Sequence, residues 1–166
     1  MCYWGVSNAI FKIMKWPTGH LLLTILMIAV RDASVAAQLL CDGRGEELLN
    51  YVASVFSTDS ATSQLVAVRI LCNLFGSKGV EPLVVTRSFN LMPVIIDQIQ
   101  GHAGAPYQDA VTSLLLNLVT RFVKTKDSHG LKQLFRLAND LLLRFENRVA
   151  RFNIMVVFNY HPCLKS

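Results

Sequence analysis

Six arginine and asparagine side chains on predicted helices have the chemistry needed to hold a peptide: Arg69, Asn73, Asn117, Arg121, Arg151 and Asn159. Arg69 and Asn73 are four residues apart, which places both on one helix face. Asn117 and Arg121 repeat this spacing in the reverse order. An asparagine amide both donates and accepts hydrogen bonds, as a peptide backbone requires, and the arginine fork matches a carboxylate. The pattern indicates a surface that binds an extended peptide.

The asparagines also have a second interpretation. Buried amides often satisfy backbone groups of a neighbouring helix. In that case Asn73 and Asn117 hold helices together and contact no ligand. The spacing is the same under both interpretations, so both remain open.

Motifs for catalysis or metal binding do not occur in the sequence. It contains no GxSxG, HExxH or phosphate-loop pattern. Cysteines and histidines are scattered rather than clustered: Cys2, Cys41, Cys72, Cys163, His20, His102, His129 and His161. Cys163 follows His161 by two residues, but a thiolate nucleophile also needs an orienting third group. We therefore expect a non-catalytic protein without metal or cofactor, in a reducing compartment.

The composition is that of a folded, weakly charged chain. Of 166 residues, 52% are apolar and 16% are charged, which excludes intrinsic disorder. The Lys and Arg residues exceed the Asp and Glu residues by 16 to 11, giving a net charge of +5. This mild excess favours acidic partners in general and identifies none.

One segment, Leu21–Val30, is apolar except for Thr24. A spanning helix needs about 20 apolar residues, so this segment is too short to cross a membrane alone. A secretory signal is an alternative, because Lys12 and Lys15 precede the apolar residues. Arg31 and Asp32 follow directly, which is an awkward flank for a signal. The favoured interpretation is a core helix buried on every side, and a membrane-associated or secreted protein is the alternative.

Periodicity and capping residues predict helices throughout and no strands, so the fold class is all-α. Asp32 is expected to cap the helix that follows it, and Gly76 to end the clearest helix. Pro82 and Pro93 are expected to begin or interrupt separate segments. The predicted helices are Val6–Met14, Leu21–Val30, Ala33–Leu40, Glu46–Phe56, Thr62–Phe75, Pro82–Phe89, Leu91–Ile99, Tyr107–Val123, Leu131–Phe145 and Arg148–Asn159.

The helices contain an internal repeat. Val68–Phe75 (VRILCNLF) resembles Thr112–Val119 (TSLLLNLV), and Asn159 continues the period of about 42–44 residues. This period is typical of armadillo and HEAT units, which stack into a right-handed superhelical solenoid. We expect about three such repeats. An apolar last helix suggests an uncapped edge, and hence a fragment of a longer solenoid.

Two motifs resemble the PUL domain, the C-terminal armadillo-like domain of phospholipase A-2-activating protein and its fungal relatives. They are Leu65–Gly79 (LVAVRILCNLFGSKG) and Tyr107–Val119 (YQDAVTSLLLNLV), and the apolar helix Leu21–Val35 is similar to one in that family. The resemblance covers residues 16–160. Residues 1–15 are then an N-terminal extension or capping helix, and residues 161–166 a tail.

The resemblance implies a non-catalytic adaptor that docks the acidic C-terminal tail of the AAA ATPase valosin-containing protein. The family acts in ubiquitin-dependent protein degradation, in the cytoplasm and nucleus. Ubiquitin would be bound only indirectly, and no nucleic acid or membrane is expected. The first of two groove arginines in the family falls on Arg69. The second belongs to an aromatic–arginine pair, and here Arg151 and Phe152 stand in the inverted order, which turns the side chain by about 100°.

Other expectations compete with this adaptor role. The PUL domain also occurs beside a papain-like thiol peptidase that removes small modifiers, so the chain would then be the PUL module of such a protein. A non-functional fragment of a larger PUL protein is another alternative. Its exposed apolar edges would aggregate.

Overall fold

The computed structural model describes residues 9–10, 19–40, 43–58, 60–76, 81–98 and 104–160. Eight α-helices and one short 3-10 helix lie within these residues, and no strand does, so the predicted all-α class is confirmed. The predicted helix Val6–Met14 lies outside the described residues except for 9–10, which are helical. The α-helices are α1 (Gly19–Ala29), α2 (Ala33–Leu40), α3 (Gly45–Ser54), α4 (Ala61–Leu74), α5 (Glu81–Asp97), α6 (Ala105–Thr125), α7 (Ser128–Arg144) and α8 (Arg148–Phe158).

The chain divides into two compact units, residues 1–91 and 92–166. In the first unit α1 packs against α4. His20 Nδ1 lies 3.5 Å from Ser63 Oγ at the start of both helices, and Asn73 Nδ2 donates to the Met27 carbonyl oxygen near both ends, at 3.3 Å. The two contacts place α1 and α4 side by side in the same direction.

Side chains cap the N-termini of α2 and α4 in the first unit, and the first of these caps is the predicted one. Asp32 Oδ1 accepts from the Ser34 and Val35 backbone N–H groups at 2.8 and 3.3 Å, which confirms the predicted cap of α2. Ser60 Oγ accepts from the Ser63 N–H at 3.3 Å and begins α4. The 3-10 helix Val55–Ser57 continues α3, so the predicted helix Glu46–Phe56 is found with a tighter last turn.

A single helix, α5, replaces the two segments predicted on either side of Asn90. Pro93 lies inside this helix, although proline has no N–H to donate to the preceding turn. The stripe of Val84, Met92 and Ile95 is fully buried. Burial of that stripe outweighs one missing backbone bond, so the prediction of a break was wrong.

Three helices form the core of the second unit. α6 packs against both α7 and α8, and α7 packs against α8. Aliphatic side chains fill the space between the three helices. Fully buried examples are Leu114, Leu118, Leu134 and Ile154. The rings of Phe135 and Phe158 stack with centroids 6.2 Å apart, which joins the middle of α7 to the last residue of α8.

The apolar segment predicted to be buried on every side is buried on one face only. Leu22, Leu23 and Leu26 of α1 have almost no exposed surface, whereas Leu21 is 67% and Ile28 57% exposed. Within the part of the chain that is described, no single helix is long and apolar enough to cross a bilayer. α1 and α2 meet that test only as a pair, and they are bent by 115° between them.

Candidate peptide-binding surfaces

Arg69 lies on the solvent-facing side of α4. Helix geometry places Leu65, Arg69 and Asn73 on one stripe, since they follow one another at four-residue spacing. Leu65 and Asn73 are half-buried and Arg69 is exposed. The ion pair found among the described residues joins Arg87 to Glu46. Within that part of the chain, Arg69 has no ion-pair partner within 4.0 Å. The guanidinium is thus available to an anionic ligand.

Asn73 holds two helices together, which is one of the two interpretations that the sequence left open. Its Nδ2 donates to the Met27 carbonyl oxygen of α1, which fastens the ends of α1 and α4 together. The side chain is only half-buried, so it also lies at the surface beside the stripe that carries Arg69. The bond fixes the direction of the amide and leaves a partly exposed group one turn away from the arginine.

Cys72 is adjacent to Asn73 in sequence, and its thiol is unreactive at neutral pH. Burial raises the pKa of the Cys72 thiol to about 12, and the nearby Arg69 charge lowers it only in part. The thiol is therefore protonated at neutral pH, and a thiolate is what nucleophilic chemistry requires. The other three cysteines lie outside the described residues.

The second unit repeats the burial pattern of α4 on α6. Asp109, Ser113 and Asn117 follow one another at four-residue spacing, and they are half-buried, exposed and half-buried in turn. This order of exposure is the same as that of Leu65, Arg69 and Asn73. Ser113 occupies the place that corresponds to Arg69, so this surface has a neutral hydroxyl where α4 has a cation.

Arg121 is half-buried one turn after Asn117 on α6. Beside α6, the Asn153 Nδ2 group of α8 donates to Thr112 Oγ1 at 3.2 Å. This contact fixes the position of α8 against the first half of α6. Asn117 and Arg121 thus belong to the second unit, together with α8.

Two predicted residues remain: Arg151 lies on α8, Asn159 follows its last residue, and both are exposed. Arg151 Nη1 donates to the Phe145 carbonyl oxygen at 3.3 Å, which turns the guanidinium toward the start of α8. Phe152 and Met155 lie on the same outer face and are 68% and 54% exposed. The sequence did not show that Phe152 and Met155 are surface residues. Apolar residues lie on most sides of α8, and only its packing against α6 and α7 shows which side is covered.

No group of three or more His, Cys, Asp or Glu side chains could hold a metal ion within the described ranges. What the surfaces present instead is exposed cations, amides and apolar side chains. These groups bind polypeptides through charge, hydrogen bonds and packing.

The sequence profile of the PUL domain matches residues 6–149. The chain belongs to the PUL domain family. PUL domains are non-catalytic protein-interaction domains, which agrees with the polar and apolar surfaces of α4, α6 and α8. No solved structure matches the chain.

The PUL match covers four of the six predicted contact residues. The match includes all of α4, α5, α6 and α7, and it ends at the first turn of α8. Arg69, Asn73, Asn117 and Arg121 therefore lie inside the matched PUL residues. Arg151 and Asn159 follow the last matched residue.

Proposed function

We propose that this PUL domain docks the acidic C-terminal tail of the AAA ATPase valosin-containing protein. In this role it is an adaptor in ubiquitin-dependent protein degradation, in the cytoplasm and nucleus, with ubiquitin reached only through its partners. Membership of a protein-interaction family supports the adaptor role in general. The net charge of +5 suits an acidic ligand.

The observation that carries the proposal is the exposed guanidinium of Arg69 beside the anchored amide of Asn73. Arg69 is the primary anion contact, because its five donors can bind a carboxylate with two parallel hydrogen bonds. A hydrogen bond to a charged group contributes about 1.5–3 kcal/mol. Asn73 then contacts the peptide backbone from its exposed side, while its Nδ2 group keeps the bond to Met27.

The other four predicted residues lie in the second unit, and we propose them as peptide contacts of that unit. Asn117 and Asn159 hold the peptide backbone, and Arg121 and Arg151 add electrostatic attraction. The bond from Arg151 Nη1 to Phe145 uses one donor of the guanidinium and leaves others for a ligand. The proposal also retains armadillo-like stacking in about three repeats, the arrangement expected from the period of about 42–44 residues.

Calorimetric titration with a synthetic tail peptide tests the proposal. We expect micromolar affinity that weakens as salt is added, because exposed charge pairs are screened. The Arg69→Ala variant should lose affinity by about tenfold, which corresponds to about 1.4 kcal/mol. Arg31→Ala is the matched control, since Arg31 is an exposed arginine of the same unit and is not among the predicted contacts.

Two outcomes would contradict the proposed function. One is the absence of binding by wild-type chain that shows helical circular dichroism. The other is an equal effect of Arg69→Ala and Arg31→Ala, because the peptide would then respond to net charge and not to the α4 surface. Unfolding of Arg69→Ala would mark the arginine as structural.

A further inference from the structure

The connection between α6 and α7 is held tightly by the chain itself. Lys126 adopts a left-handed conformation, with φ of 56°. The Asp127 N–H donates to the Phe122 carbonyl oxygen at 2.9 Å, and Asp127 Oδ1 accepts from the Gly130 N–H at 2.9 Å. Gly130 lies so close to Phe122 that an added Cβ would be 2.7 Å from the ring. These contacts give the connection a fixed shape.

Five exposed basic side chains surround this connection: Lys124, Lys126, His129, Lys132 and Arg136. We name this set the basic corner. His129, Lys132 and Arg136 follow the spacing of three and four residues that places them on one face of α7. None of the five has an ion-pair partner in the described part of the chain.

The described residues place little negative charge beside the basic corner. Lys124 and Lys126 lie at the C-terminal end of α6, where the helix dipole favours cations. Lys132 and Arg136 lie beyond the first turn of α7, outside the reach of its dipole. The first turn of α7 has no acidic residue, and the Asp127 carboxylate is already used to cap the helix. A cluster of exposed cations without an ion-pair partner in the described part of the chain attracts an anionic ligand.

We propose that the basic corner binds an acidic polypeptide segment of a partner protein, at a surface separate from Arg69. From His129 to Arg136 the helix rises about 10 Å, the length of about three residues of extended chain. A run of several acidic side chains therefore reaches both Lys132 and Arg136, and the His129 Nε2 atom at the start of the run lies 2.8 Å from Gln133 Nε2. The partner is a protein because PUL domains bind proteins.

Nucleic acid is the less favoured polyanion at this surface. Proteins that hold single strands stack bases on exposed aromatic rings. The phenylalanines of α6 and α7, Phe122 and Phe135, are both buried. The corner thus offers charge without a stacking platform.

The test uses a labelled eight-residue polyglutamate peptide and the full chain carrying Arg69→Ala, so that the α4 surface does not contribute. Fluorescence anisotropy gives the affinity. Adding Lys132→Glu and Arg136→Glu should weaken binding by about tenfold, because two attractions become two repulsions. The matched control adds Arg31→Glu and Arg144→Glu, which changes the net charge equally at exposed positions outside the corner. The control should lose less than about threefold.

Stability separates a binding role from a structural one. Lys132 and Arg136 are exposed, and substitutions at exposed positions usually change stability little, so the melting temperature of the corner variant should stay close to that of the Arg69→Ala chain. Loss of binding together with unfolding would overturn the proposal.

Three binding results would also overturn it. The first is equal weakening by the corner and control variants, and the second is no peptide binding by the Arg69→Ala chain. The third is tighter binding of a single-stranded DNA of equal charge than of the peptide. The wild-type chain failing to bind the valosin-containing protein tail would contradict the proposed function and leave this inference intact.

Discussion

Replacing Gly130 with alanine tests how closely α6 and α7 approach. The new Cβ would lie 2.7 Å from Phe122 Cε2 and 2.7 Å from Asp127 Oδ2. The Phe122 ring is buried and cannot turn into solvent. Overpacking a filled site costs about 1–3 kcal/mol, and replacing glycine by alanine within a helix returns about 1 kcal/mol. We therefore expect a net loss of about 1 kcal/mol in the free energy of unfolding, which follows from the difference between these terms.

Thermal unfolding followed by circular dichroism measures this change. For a chain of this length 1 kcal/mol lowers the melting temperature by about 2–4 °C. Gly104→Ala is the control, because the nearest atom to its added Cβ is Pro106 Cδ at 3.8 Å. A Gly130→Ala chain as stable as the wild type, or more stable, would refute the close approach of Phe122 to α7.

Three further predictions concern a cap, a thiol and a carboxylate. Asn147 Oδ1 accepts from the Val149 and Ala150 N–H groups at 2.8 and 3.3 Å, so Asn147→Ala should cost about 1 kcal/mol in urea unfolding. Asn147→Ser should restore most of the loss, and no difference from Ala would contradict the cap. The pKa of Cys72 is raised to about 12, so the thiol should react with iodoacetamide at neutral pH only after the chain unfolds. Peptide mass mapping measures this labelling, and rapid labelling of the folded chain would contradict the prediction. Hydrogen bonds from the Ser34 hydroxyl and N–H lower the pKa of Asp32 from 3.8, so its stabilising effect is present at neutral pH and lost as the pH falls through that lowered value. Unfolding of the wild type and Asp32→Ala should therefore converge only in acid, and a constant gap would rule this out.

The helices were predictable because their signals are local. Asp32 caps α2 as predicted, and the apolar periods of α4 and α6 are found within two residues of the predicted ends. The break predicted near Pro93 was wrong because the local rules count the hydrogen bond lost at the proline. They do not count the burial of Met92 and Ile95, which depends on tertiary packing. Exposure of Leu21 was equally unpredictable, since a helix that is apolar all round does not show which face a neighbour covers.

The candidate surface was predictable in part for the same reason. Four-residue spacing placed Arg69 and Asn73 on one helix face, which needs no tertiary information. The bond from Asn73 to Met27 joins residues far apart in sequence, so only the packing of α1 on α4 could show it. Exposure of Phe152 likewise depends on which side of α8 meets α6 and α7.

The central claim is that Arg69 contacts a carboxylate of the acidic tail, and a double-mutant cycle tests it most directly. The cycle combines Arg69→Ala with tail peptides in which each acidic residue in turn is replaced by its amide, and calorimetry gives all four affinities. Direct contact predicts that one amide peptide shows a coupling free energy of about 1 kcal/mol or more with Arg69. Additive effects of Arg69→Ala and every peptide substitution would contradict the account.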